Sequence, residues 1–326
     1  MQILLTGAFG NVGQNTIDAL LERGHQVRAF DIATPANRRA ARRYEARVEI
    51  AWGDLRRAED VARAAQNVDA AIHLGFVIPT LSATGIGSEE RPEWARAINV
   101  GGTRNLITAL QAQQVNGKQP PRLVFASSLH IYGLTQHLPP PRLASDIPHP
   151  VEHYAHHKVE AEQMVRESGL CWAILRLAAA LPLRLIMDTG MFDVPLANRI
   201  EFVHTRDAGA AFAIAAAHPG VWGRTLHIGG GPACQLTYRQ MMTGVLDAAG
   251  VGALPDWAFT TQPFATDWLD TQESQQILSF QKRTFQDYTN DLRAKMGALR
   301  MLVVMCRPAV RRYLLSRSPY ARIPQG

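Results

Sequence analysis

Residues 1–13, MQILLTGAFGNVG, restrict the fold of this chain more than any other stretch. Ile3, Leu4 and Leu5 make a short apolar run of the kind a buried strand has. Thr6-Gly7-Ala8-Phe9-Gly10-Asn11-Val12-Gly13 then turns into a helix predicted to begin near Val12. Each of the three glycines, spaced three apart, has a physical task. Gly7 permits a tight turn, Gly10 lets backbone N–H groups approach a pyrophosphate, and Gly13 lets the helix lie close on the strand. Gln26–Phe30 reads as a second parallel strand ending in Asp31, an acid that can accept from ribose hydroxyls and repel a 2′-phosphate. A glycine triplet alone also occurs in plain turns. Between a strand and a helix, with Asp31 downstream, it predicts a dinucleotide site that prefers NAD. Arg38 and Arg39, a few residues on, are the groups that would receive a phosphate, so NADP is the lesser expectation.

The rest of the chain continues the alternation. Helical spacing over 12–23 ends at Gly24, and strands are predicted at 48–52, 68–74, 122–126 and 171–177, with helices at 57–66, from Trp94, and around Tyr154. Residues 79–92 read as a polar loop suited to a lid or a surface excursion. With 47% apolar and 19% charged residues the composition is that of a globular enzyme. Cys171, Cys234 and Cys306 are far apart and suit a reducing compartment. The first strand starts almost at Met1, so no signal peptide and a cytoplasmic location are expected. The net charge of +6 is uneven: from Gln281 onward ten Lys and Arg face only Asp287 and Asp291, a net +8, leaving −2 for the body. The basic balance therefore belongs to the tail and does not predict nucleic-acid binding.

These segments together resemble an extended short-chain dehydrogenase/reductase, the group of NAD-dependent epimerase/dehydratase-like enzymes. The resemblance is carried, in family order, by TGAFGNVG, Asp31, GDL at 53–55, HLG at 73–75, NVGGTRN at 99–105, SSLHIYG at 127–133, YAHHK at 154–158 and LR at 175–176. FVHTRDAGAAF at 202–212 and HIGGG at 227–231 follow, so about the first 230 residues are covered. It implies an α/β doubly wound parallel sheet (a Rossmann fold) over residues 1–177, with 203–231 returning to it. A smaller, mostly helical substrate lobe would comprise 178–202 and 232–326.

Tyr154 and Lys158 stand four apart, on one face of a helix. An ordinary tyrosine titrates near about 10, and a neighbouring ammonium favours its phenolate, which is the physical sense of the YxxxK spacing. The resemblance assigns Tyr154 as the acid/base, Lys158 as holder of the nicotinamide ribose, and Ser128 as the hydroxyl that orients the substrate oxygen. Asn99 would stabilise a helix bend or a water near Lys158. The cofactor would be held by Gly7, Phe9, Gly10, Asn11, Val12, Gly13, Asp31, Asp54, Leu55, Leu74, Gly75, Ser127, Tyr154 and Lys158. Asp54 and Leu55 would meet the adenine, and Ser127 would face the nicotinamide. His73 reads as packed rather than catalytic, and His130 as either a substrate contact or a strand-end histidine. His153 and His157 share a helix face, but no third ligand stands at recognisable spacing, so no metal site is expected.

The resemblance departs from nucleotide-sugar enzymes after Arg176. Only residues 177–201 precede Phe202, and PLRLIMDTGMFDVPLANRI offers few phosphate ligands besides Arg184 and Arg199. That favours a small or hydrophobic alcohol or ketone, with hydride transfer to or from NAD. The alternatives are a nucleotide-sugar epimerase using the same triad and a non-catalytic dinucleotide sensor or scaffold. Dehydration would call for an acid/base pair after the serine, which Leu129-His130 does not supply in acidic form. Helices are expected at 237–249, 267–280 and 283–296. Residues 297–315 hold an apolar run too short to span a bilayer, interrupted by Arg300 and Pro308. A body-packed or oligomer-facing helix is the first expectation there, and weak contact with a membrane surface the second. A homodimer is implied by the family alone.

Overall fold

A computed structural model describes residues 1–79, 85–113, 121–184 and 189–320. Its main strands are β1 (Gln2–Thr6), β2 (Gln26–Asp31), β3 (Glu49–Trp52), β4 (Ala70–His73), β5 (Arg122–Ser128), β6 (Trp172–Leu177) and β8 (Thr225–Ile228). These seven form one parallel sheet in the order β3-β2-β1-β4-β5-β6-β8. Two further strands, β7 (Arg199–Glu201) and β9 (Gln235–Thr237), pair antiparallel outside that sheet. This is the doubly wound sheet the sequence predicts. Its order reverses direction between β1 and β4, which opens a crevice at the carboxyl ends of those strands.

Strand residues alternate between two buried faces, as parallel sheets covered on both sides require. Ile3 and Leu5 of β1 join the core under α1 (Asn11–Glu22) and α7 (Thr205–Ala215). Leu4 points the other way, to the core under α3 (Ala58–Ala65), α5 (Gly102–Gln111) and α6 (His153–Glu167). Helix α2 (Pro35–Ala41) follows β2, and α4 (Pro92–Arg96) precedes α5. A third core is built from Phe192, Phe202 and the later helices: α8 (Tyr238–Ala249), α10 (Phe285–Met305) and α11 (Arg307–Ser316). Helix α9 (Gln272–Leu278) instead adds Leu278 to the core beneath α1 and α7.

The glycine turn is as tight as its spacing implies. Gly7 has φ +68°, and a Cβ there would sit 2.7 Å from the Gly75 nitrogen, so β1 and β4 meet backbone to backbone. A Cβ on Gly13 would lie 2.2 Å from the Gly7 carbonyl oxygen. Gly13→Ala is therefore expected to cost about 2–3 kcal/mol and to abolish NAD binding, since only a backbone shift relieves the clash. Thermal melting with and without NAD checks this; a variant melting with the parent would show the turn to be pliable.

The chain departs from expectation near residue 267. Of 267–280 only α9 is helical. The Asp267 carboxylate instead accepts from Thr135 Oγ1 at 2.8 Å and Arg199 Nε at 2.7 Å, while the Leu269 N–H donates to Glu201 at 2.7 Å. These buried polar partners hold the segment extended where the resemblance implies a helix. The helix expected over 283–296 starts at Phe285 and runs on to Met305 through a kink at Gly297. Parts of three expectations (residues 80–84 of the polar loop, 185–188 of the short segment and 321–326 of the tail) lie outside the described residues.

Candidate functional site

Strand β5 ends in Ser127-Ser128, and α6 brings Tyr154 and Lys158 over that end. The N-terminus of α6 is set by a distant residue. Glu89 accepts from the His153 and Tyr154 N–H groups at 3.1 and 3.0 Å, so the segment after residue 85 caps α6. The Ser128 hydroxyl faces the Tyr154 phenol, and it accepts from the His130 N–H at 3.3 Å. Burial pushes Tyr154 up to about 12, and the Ser128 contact only partly opposes it.

Lys158 does less for the tyrosine than its spacing suggests. Its Nζ donates to the Ala126 carbonyl at 2.6 Å and lies 3.5 Å from the centre of the Phe76 ring, 5.7 Å from that of Tyr154. Burial pulls its pKa well below the ordinary lysine range, and Glu162, one turn on along α6, opposes that. The phenol is therefore not moved toward neutrality in this state, because desolvation outweighs the nearby amine.

Asn99 stands in a π turn, Ala97–Gly101, between α4 and α5. Its amide donates to the Val77 carbonyl at 3.0 Å and accepts from the Val77 N–H at 2.6 Å. A second contact reaches His157 Nδ1 at 3.3 Å. The helix bend is thus tied to the chain leaving β4, behind Lys158. His73 lies buried between the hydroxyls of Thr6 and Thr103, at 2.6 and 3.0 Å, and burial pulls it down to about 3. That is the packed role expected of it.

At the other end of the crevice α1 begins with Gly10 as its N-cap and no capping side chain, so its first N–H groups are open to an anion. The Asp31 carboxylate accepts from the N–H groups of Phe9 and Ile32 at 2.9 and 2.8 Å, and from Asn37 Nδ2 at 3.0 Å. Phe9 packs at a tilt against Trp52, ring centres 5.2 Å apart, and the Arg38 guanidinium lies over Trp52 at 5.3 Å. The cation that would receive a 2′-phosphate is occupied by an indole. This tight turn, open helix end and buried acid fit a dinucleotide. Gly75 packs on Leu55, which is buried, and Leu74 donates its N–H to Thr6 O at 3.2 Å. Asn11 and Val12 open α1, and the Asn11 amide donates to Ala180 O at 2.9 Å. Asp54, expected to meet the adenine, is engaged by Arg56 at 2.5 Å.

Burial pushes Asp31 up to about 6 against its hydrogen bonds from Phe9 and Ile32. Above that pH a carboxylate repels a 2′-phosphate, and below it a neutral acid does not. NADH is expected to bind about tenfold more tightly than NADPH at mildly alkaline pH, about 1.4 kcal/mol. The ratio should shrink as pH falls through about 6; a ratio independent of pH would remove Asp31 from cofactor choice.

Behind the Ser128–Tyr154 pair lies a buried polar line in which Glu162 is the residue that sequence reasoning missed. Ser127 is buried with its hydroxyl facing the Glu162 carboxylate. Glu162 accepts two hydrogen bonds from Arg176, at 2.9 and 2.8 Å, and burial alone would raise it, but Arg176 holds it below its usual range. Arg176 also donates to the Tyr132 hydroxyl at 2.6 Å. His227 Nδ1 lies 2.9 Å from the Asp270 carbonyl, which can only accept, so Nδ1 carries the proton and Nε2 accepts from Tyr132 at 2.5 Å. Glu162 follows Lys158 by four residues, a spacing that could have flagged it. His130 is paired with Glu152 at 3.1 Å and lies between the rings of Tyr154 and Phe264, at 5.9 and 5.7 Å. Among the described residues no group of three metal-ligating side chains converges, and no helix is long and apolar enough to cross a membrane.

Comparison with known proteins agrees with this geometry. A 3β-hydroxysteroid dehydrogenase/Δ5→4-isomerase of Mycobacterium tuberculosis is 35% identical over 130 residues, covering 39% of this chain and 31% of that protein. UDP-glucose 4-epimerase 3 of Oryza sativa is 31% identical over 147 residues, 42% of this chain and 37% of that one. The matched part thus spans about a third of these relatives. An NAD-bound short-chain dehydrogenase/reductase superfamily protein from Agrobacterium tumefaciens superimposes with a TM-score of 0.73 at 20% identity, covering 94% of this chain and all of that one. The model of the NAD dependent epimerase/dehydratase family matches residues 3–181, more than half of the sequence, and the chain belongs to that family.

Proposed function

We propose that the protein is an NAD(H)-dependent oxidoreductase that interconverts a small or hydrophobic alcohol and its ketone. The observation that carries this is the Ser128–Tyr154 pair at the end of β5, with Lys158 one helical turn away and the anion-ready glycine turn across the crevice. NAD bound there supplies the acceptor or donor of hydride. Tyr154 exchanges the proton of the substrate oxygen, and Ser128 positions that oxygen. Lys158 and Asn99 hold the catalytic helix and the π turn in register with β5. Gly7, Gly10, Gly13 and Asp31 seat the dinucleotide.

Apolar walls support a substrate with little charge: Phe76 packs edge-on to Tyr154 at 5.9 Å, and Phe264 lies beyond His130. A curated relative named as a hydroxysteroid dehydrogenase is consistent with that class. The test is a panel of secondary alcohols and ketones with NAD and NADH, followed by absorbance. Net reduction of NAD by an apolar alcohol is the expected result. Turnover of a nucleotide sugar without net change in NAD would instead make the enzyme an epimerase.

A further inference from the structure

We propose that the outer face of the C-terminal arm, from Gly297 to Tyr313, docks the protein onto an anionic membrane surface. The inference is independent of the chemistry proposed above. After the kink at Gly297 (φ +48°) the helix turns one side inward, where Val303 is buried in the C-terminal core. Its outer surface carries Leu299, Met301, Leu302 and Met305, exposed to 53%, 68%, 54% and 79%. Ala298 and Cys306 complete this strip without a charge. Large apolar side chains are this exposed on a folded protein where something else covers them.

The charges around the strip select the partner. From Leu292 to the end of the sequence there are eight Arg and Lys and no acid. Arg300, Arg307 and Arg311 turn inward and donate to the carbonyls of Ala248, Gly250 and Ala253 at the end of α8. There they complement the helix dipole. Lys295, before the apolar strip in the chain, and Arg312 and Arg317, after it, stay exposed. A second copy docking on the same face would oppose two cationic arms. A nucleic acid would need cations on the strip itself, which has none. An apolar strip flanked by cations and lying along a helix matches the boundary between acyl chains and acidic headgroups.

The test is co-sedimentation of the full chain with phosphatidylglycerol/phosphatidylcholine vesicles and with phosphatidylcholine vesicles alone. Binding to the anionic vesicles is expected to be on the order of tenfold tighter, and to weaken with salt. Met301→Asp with Met305→Asp should lose it, while the melting curve and NAD affinity stay those of the parent. Lys295→Gln with Arg312→Gln, which leaves the strip intact, should lower the preference for anionic lipid and so provides a second arm if the first variant misfolds. No pelleting with anionic vesicles, or equal pelleting of parent and both variants, would overturn the proposal. So would light scattering that shows a parent dimer converted to monomer by the aspartates, which would assign the strip to a second copy.

Discussion

Tyr154→Phe is expected to lower turnover about 10³-fold, within the usual range for removing a proton-transfer group, while NAD affinity and the melting temperature stay unchanged. The ring is retained, so its edge-on packing with Phe76 and His130 persists. Only the hydroxyl opposite Ser128 is lost. A drop below tenfold would show that another group moves the proton. The pH dependence follows from burial. A phenol held up at about 12 is protonated at neutral pH, and so is ready to give a proton to a ketone oxygen. Alcohol oxidation needs the phenolate, whose fraction rises about tenfold per pH unit below that value. Oxidation is therefore expected to climb with pH where reduction is nearly flat. Tyr154→Phe should remove the slope along with the rate.

Arg176→Leu is expected to cost about 3–5 kcal/mol, a fall in melting temperature on the order of 10 °C. The substitution leaves the Glu162 carboxylate, which is fully buried, without its bidentate partner. Arg166, on the rim, reaches only one of its oxygens, at 2.7 Å. It also removes the donor to the Tyr132 hydroxyl, so the line from α6 through β6 to His227 on β8 is cut at its charged link. Removing both charges, as Arg176→Leu with Glu162→Leu, should recover part of the loss, because most of the cost is a stranded buried charge. A single variant that melts within about 1 kcal/mol of the parent would show that water reaches Glu162.

The parts of the molecule legible in the sequence are those whose physics is local. The turn at Gly7 and Gly13 needs residues without a Cβ within one loop, and Tyr154 and Lys158 need only one turn of helix between them. Glu89 illustrates the opposite case. It caps α6 from 64 residues upstream of His153, with nothing nearby to announce it. The extended stretch beginning at Asp267 departs from the helix that the family resemblance implies for the same reason, since its partners Thr135, Arg142 and Arg199 come from elsewhere in the chain. Spacing puts Tyr154 and Lys158 on one helix face, as the structure has them. It does not reveal how dry that neighbourhood is, and dryness decides both pKa values.

The chain visits its cores in turn. It leaves the sheet after β6, builds β7 and the Phe192–Phe202 part of the C-terminal core, and returns as α7 and β8. It leaves again for α8, comes back with Leu269, Leu278 and Phe280, and departs a last time for α10. Gly209 of α7 lies so close on α1 that a Cβ would stand 2.5 Å from the Asn15 backbone. The part of the chain after β6 is therefore stitched into the part before it rather than attached to its end. A cut after β6 leaves the core beneath α3, α5 and α6 and the C-terminal core whole but divides the one beneath α1 and α7, and a chain shortened to end there would lack both α7 and the last strand of its own sheet. Recombining such enzymes by exchanging everything beyond one crossover point should fail for this chain, whereas exchanging the separate loops that the sheet sends outward leaves the stitching intact.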